Sequence, residues 1–115
     1  MLFRSGLIDR MDPGSSAVRM RVPALVRGYF SDMAAILRSC RHVLVPGGQC
    51  CIVVGNSAYG GVIIPTDTLV ARLGLEAGFG RAAVVPVRHL TVAPQQRRAL
   101  SGGERWMRES VVVLS

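Results

Sequence analysis

From His42 to Thr66 the chain carries no formally charged side chain, the longest such run in its 115 residues. That length would serve a bilayer-spanning helix. Pro46, Gly47, Gly48, Gly55, Asn56, Gly60 and Gly61 forbid one, because they cut the run into pieces too short for a membrane helix. What remains is short apolar segments between turns. The clearest is Cys50-Cys51-Ile52-Val53-Val54, rich in β-branched side chains and continuous rather than alternating in polarity. Continuous apolarity predicts a strand covered on both faces, as in a parallel sheet.

The elements on either side follow from periodicity. Phe30, Met33, Ala34 and Leu37 recur at helical spacing, with Arg38 and Arg41 near the end, where cations suit the helix dipole. The pattern predicts a helix over about residues 29–42, with Gly28 or Ser31 as its cap. Pro46-Gly47-Gly48 then predicts a type II turn. A second helix fits 66–77: Thr66 is placed to cap it, Leu69, Val70, Leu73 and Ala77 line one side, and Gly78 stops it. Ala83–Val87 reads as a strand, with Pro86 marking an edge or bulge, and Ser110–Leu114 as the last strand. Between them lies a polar loop, residues 91–105. Residues 1–27 form an irregular N-terminal segment, with a turn cluster at Asp12-Pro13-Gly14-Ser15-Ser16 and a short alternating stretch, Val18 to Val22. The order helix–strand–helix–strand predicts an α/β unit with a crossover helix between parallel neighbours.

An apolar content of 50% excludes a disordered chain. The formal charge is +7, with every cation an arginine. It is distributed as +4 over residues 1–41, −1 over 42–80 and +4 over 81–115. Basic flanks around a neutral centre suit a polyanion, although a lysine-free, arginine-rich chain also fits plain compositional bias. Cys40, Cys50 and Cys51 have no metal-ligand spacing, and Cys50 and Cys51, inside the apolar run, read as small buried hydrophobes. His42 and His89 stand alone. With no signal segment visible, a cytoplasmic protein is expected.

Three strings together resemble a known family: Tyr29-Phe30-x-Asp32-Met33, Arg41-His42-Val43-Leu44-Val45-Pro46-Gly47-Gly48 and Val54-Gly55-Asn56-Ser57. They are similar to the second half of class I S-adenosylmethionine-dependent methyltransferases, with His42 departing from the usual phrase. Gly55–Pro65, Gln95-Gln96 and Met107-Arg108-Glu109-Ser110-Val111 more specifically resemble bacterial and archaeal amino-methylating DNA methylases. The likeness covers residues 28–115. It implies a partial Rossmann-like sheet of parallel strands, ending in an antiparallel hairpin and carrying helices on its faces. It also implies S-adenosylmethionine as methyl donor and a nucleic acid, DNA foremost, as partner.

Two family motifs are missing. No glycine-rich donor loop precedes residue 28. The nearest string to the Asp/Asn-Pro-Pro-aromatic motif is Asp12-Pro13-Gly14-Ser15, which lacks the second proline and the ring. The chain therefore reads as the C-terminal part of such an enzyme, with little activity alone, completed by an upstream complementary chain or paired with its own copy. A non-enzymatic binding or assembly module and part of a small-molecule methyltransferase are the rival readings.

Ligands of open α/β sheets gather beyond the carboxyl ends of parallel strands. Gly55, Asn56, Ser57 and Tyr59 follow such an end, where an amide and an aromatic ring can hold a base; an ordinary strand-end turn is the alternative. Gln95, Gln96 and Arg97, with Arg98, form the other candidate group, since glutamine pairs with base edges and arginine neutralises phosphate. Trp106 is either a stacking platform or a loop anchor, and Arg108 with Glu109 reads as a structural ion pair.

Overall fold

A computed structural model describes residues 16–97, 100 and 102–115. Helix α1 spans Ser16–Val43 and is followed by strand β1, Cys50–Gly55. A small hairpin comes next, β2 (Ser57–Tyr59) and β3 (Val62–Ile64), and then helix α2, Thr66–Glu76. Strand β4 covers Ala82–His89. A single turn of helix, α3 (Pro94–Arg97), and a 3-10 turn at Glu104–Trp106 precede β5, Arg108–Leu114.

The expected parallel, Rossmann-like sheet is not what forms. The main sheet has the order β1-β5-β4. Both of its ladders are antiparallel, Cys50 to Leu114 through Gly55 to Glu109, and Ala82 to Leu114 through His89 to Arg108. β1 and β4 share no hydrogen bonds because β5 returns between them. Periodicity reports which face of a strand is buried, not which strand lies beside it, so the insertion was invisible in the residues. The antiparallel pairing of the last two strands is present, and its register slips between Pro86 and Arg88, where proline has no N–H to give to the ladder.

The two-sided burial read from β1 also fails. Ile52 packs into the core and Val54 is buried, whereas Cys51 is exposed and Val53 is 63% exposed. α2 covers one face of the sheet by burying Leu69, Val70 and Leu73 against Val112 and Leu114, and α1 adds Phe30 and Leu37 over α2. The helix α1 begins well before the expected residue 29 and runs through Pro23, which forgoes one backbone bond without ending it.

Chain reversals follow the glycines. In the Pro46-Gly47 turn Gly47 has φ +83° and the Gly48 N–H donates to the Val45 carbonyl at 2.9 Å. α2 ends in a Schellman motif: Gly78 has φ +109°, its N–H reaches the Leu75 carbonyl at 3.1 Å, and the Phe79 N–H reaches Gly74 at 3.2 Å. The Arg41 Nε donates to the Gly78 carbonyl at 3.2 Å, tying the end of α1 to that stop.

Gly74 crosses β5 so closely that a Cβ would collide with both methyl groups of Leu114, which is fully buried. Gly74→Ala should therefore destabilise the protein by about 1–3 kcal/mol through overpacking, outweighing the roughly 1 kcal/mol that alanine gains in helix propensity. A lowered urea midpoint checks this; a raised one would refute the close crossing.

Candidate functional site

The stretch after β1 folds as a hairpin because Gly60 and Gly61 both take positive φ, +56° and +79°, as a two-residue type I′ turn requires. Its register pairs Ser57 with Ile64, Ala58 with Ile63 and Tyr59 with Val62. Strand alternation then divides the hairpin into two sides. Ala58 and Ile63 pack against Val92, Leu100 and Met107, a satellite core belonging to the loop before β5. Ser57, Tyr59 and Ile64 instead line a cavity of about 370 Å³. Gly55, Thr66 and four residues of α1 (Leu25, Val26, Tyr29 and Phe30) complete its wall. The Gly-Gly pair between two apolar triplets was the sequence signal for this hairpin.

The cavity is aromatic and lightly polar. Tyr29 stands edge-on to Phe30 at 5.1 Å and 85°. Partial burial raises the Tyr29 pKa. The Thr66 hydroxyl donates to the Ile64 carbonyl at 3.4 Å, so it does not cap α2 as expected.

Asn56 has a different position from its neighbours. It is buried, its Oδ1 accepts the Asp67 backbone N–H at 3.0 Å, and its Nδ2 donates to the Trp106 carbonyl at 2.9 Å. Its side chain thus caps α2 from a distance and holds the loop before β5. Asp67, fully buried at the first turn of α2, is the centre of the same network. Its Oδ2 accepts from the Arg108 Nε at 2.9 Å and the Ser110 hydroxyl at 2.7 Å, while Oδ1 accepts the Thr68 N–H at 2.7 Å. Burial alone would raise this carboxyl's pKa. The bonds from Ser110, Arg108, Thr68 and Asn56 outweigh it and hold the group below the ordinary carboxylate range. The Arg108 guanidinium also lies over the Trp106 ring, 4.6 Å from its centre.

Arg108 and Glu109 therefore do not pair with each other. Adjacent strand residues face opposite ways, so Arg108 reaches Asp67 and Glu109 takes Arg88 at 3.0 Å. The Asp67–Arg108–Ser110 group escaped the sequence reading. Its signal was an acid at a helix start and two polar residues spaced by two on an apolar strand.

Gly55, Ser57 and Tyr59 thus meet at one cavity, joined by the unforeseen Tyr29. Gln95, Gln96 and Arg97 lie in α3, and Arg97 is exposed and outside that cavity's wall. Arg98 and the Asp12–Ser15 turn fall outside the described residues. The two groups are linked through the hairpin, whose far side carries the loop. Cys40 and Cys50 are half-buried and Cys51 is exposed, so the expected burial of the Cys50-Cys51 pair does not hold. Burial, then the neighbouring Cys40 and Cys51 thiols, raises the Cys50 pKa. Among the described residues no group of side chains could hold a metal ion, and no helix is long and apolar enough to cross a membrane.

The chain is 33% identical over 58 residues to the type II methyltransferase M.AvaI of Nostoc sp., and equally to that of Anabaena variabilis. The match takes in half of this chain and 12% of either relative's length. It supports a methyltransferase relationship. No family model matches the chain, and no solved structure does. The cavity does not fit the donor that such a relationship implies. S-adenosylmethionine carries a charged amino-acid end, whereas the described lining holds no carboxylate and no cation.

Breaking the central network has a defined signature. Asp67→Asn should cost about 2–3 kcal/mol at pH 7, since it leaves Arg108 without its counter-charge. Because the folded carboxyl titrates below the unfolded one, its stabilisation is complete above the ordinary carboxylate pKa and fades as the pH falls through it toward the folded value. The wild type should lose stability over that acidic window and the variant should lose less, as urea midpoints between pH 7 and pH 3 will report.

Proposed function

We propose that the chain is the target-side part of an S-adenosylmethionine-dependent methyltransferase that modifies exocyclic amines of nucleic-acid bases, with DNA the foremost substrate. The observation carrying this reading is the cavity walled by Tyr29, Tyr59, Gly55 and Ser57. A flipped base needs an aromatic face to stack on, room for its plane and a few polar groups for its edge. Tyr59 and Tyr29 offer faces, Gly55 offers a backbone without a side chain, and Ser57 offers a hydroxyl. The volume lies within the roughly 300–1,000 Å³ of small-ligand clefts. The match to a type II methyltransferase supports the reaction class.

The chain's own work is to bind and orient. Asn56 and Asp67 fix the hairpin, α2 and β5 relative to one another, so the cavity wall is set before a ligand arrives. Arg97, exposed beyond the hairpin, is placed for phosphate, and Gln95 and Gln96 share its helical turn. S-adenosylmethionine supplies the methyl group when bound, at residues other than this cavity's lining.

Filter binding of the 115-residue chain to a short DNA with an unpaired adenine or cytosine tests the reading. Affinity should fall steeply with salt, and Tyr59→Ala should weaken it by about 1–3 kcal/mol. Binding that is indifferent to both overturns it. Calorimetry with S-adenosylmethionine should give no heat from the chain alone, and micromolar binding would refute the statement that the donor is held elsewhere.

A further inference from the structure

Two of the three cysteines converge from different elements. Cys40 follows Phe30, Met33, Ala34 and Leu37 on the core-facing stripe of α1, and Cys50 shares the inner side of β1 with Ile52 and Val54. Nine residues separate them, and the Pro46-Gly47 turn folds that connection back on itself. The two thiols consequently meet beside the core, joined by a side-chain hydrogen bond. Both are half-buried, neither is in a disulfide, and both lie outside the wall of the cavity. Cys51 is exposed, and strand alternation turns it to the other side of β1.

We propose that Cys40 and Cys50 form a redox modification site: a low-molecular-weight disulfide, of the glutathione type, oxidises them to an intramolecular Cys40–Cys50 bond. That bond fastens the last turn of α1 to the first residue of β1. The proposal is independent of the methyltransferase reading.

The exchange runs in two steps. One thiol of the pair, as thiolate, attacks a sulfur of the small disulfide, breaking its S–S bond and releasing one small thiol. The second protein thiol attacks the mixed disulfide, closing the Cys40–Cys50 bond and releasing the other small thiol. Two electrons pass from the pair to the small disulfide, and the two protein protons end on the departing thiols. Burial, then the neighbouring Cys40, keeps the proton on Cys50, so the first attack falls to Cys40 and the closing step to Cys50. Because the partners already touch, closure outruns attack by a second small thiol. Cys51, on the other side of the strand, stops at the mixed disulfide.

Peptide mapping of the 115-residue chain after incubation with oxidised glutathione, with the remaining thiols alkylated, is the test. Trypsin cuts after Arg38, Arg41 and Arg72, so a bridge appears as peptide 39–41 joined to peptide 42–72, and fragmentation tells Cys50 from Cys51. The bridge to Cys50 should form at least about tenfold faster in the native chain than in concentrated urea, a comparison that needs no variant. It should persist in Cys51→Ser and be absent from Cys40→Ser and Cys50→Ser, whose folding circular dichroism verifies. Three alkylated cysteines, a bridge to Cys51, glutathione retained on Cys40, or equal rates in urea overturn the proposal.

Discussion

One buried carboxylate organises this molecule. Asp67 lies in the first turn of α2, yet its bonds run to β5, through Arg108 and Ser110, and its backbone N–H runs to Asn56, just after β1. Burying a charge is costly unless it is paired and its lone pairs are met, and here every partner comes from a different part of the chain or from the helix's own first turn. The consequence is geometric. The start of the helix, the middle of the sheet and the turn out of β1 cannot move independently without leaving a charge unsatisfied. Three residues of the cavity wall, Gly55, Ser57 and Thr66, immediately flank these fixed points.

The hairpin between β1 and α2 extends this constraint outward. Its inner side belongs to the cavity and its outer side to the loop carrying α3. Gly103 is part of that junction, since a Cβ there would press on Ile63. The two candidate groups, around Tyr59 and around Arg97, thus belong to opposite sides of a single two-stranded unit.

Much of the local structure was legible. Phe30, Met33, Ala34 and Leu37 marked a core-facing helix, and Phe30 and Leu37 are buried. Leu69, Val70, Leu73 and Gly78 located α2 and its stop, and Pro46-Gly47 the turn between α1 and β1. Strand neighbours were not legible, because Cys50–Val54 and Ser110–Leu114 carry the same apolar signal whether β5 lies at the end of the sheet or through its middle. Nor was α1's true start, where Pro23 lies inside a helix instead of before one. At the site, Gly55, Ser57 and Tyr59 were legible as a strand-end group. Tyr29 was not legible as their companion, because it enters from α1 through tertiary packing alone.

The register slip at Pro86 gives the sheet two unequal margins. A proline and an extra residue make β4 a poor template for any strand arriving alongside it. β1, the other margin among the described residues, reads Cys-Cys-Ile-Val-Val-Gly, with neither proline nor charge to discourage a newcomer. Unwanted strand pairing of this polypeptide would accordingly go through β1, and a single lysine introduced there would be the economical safeguard.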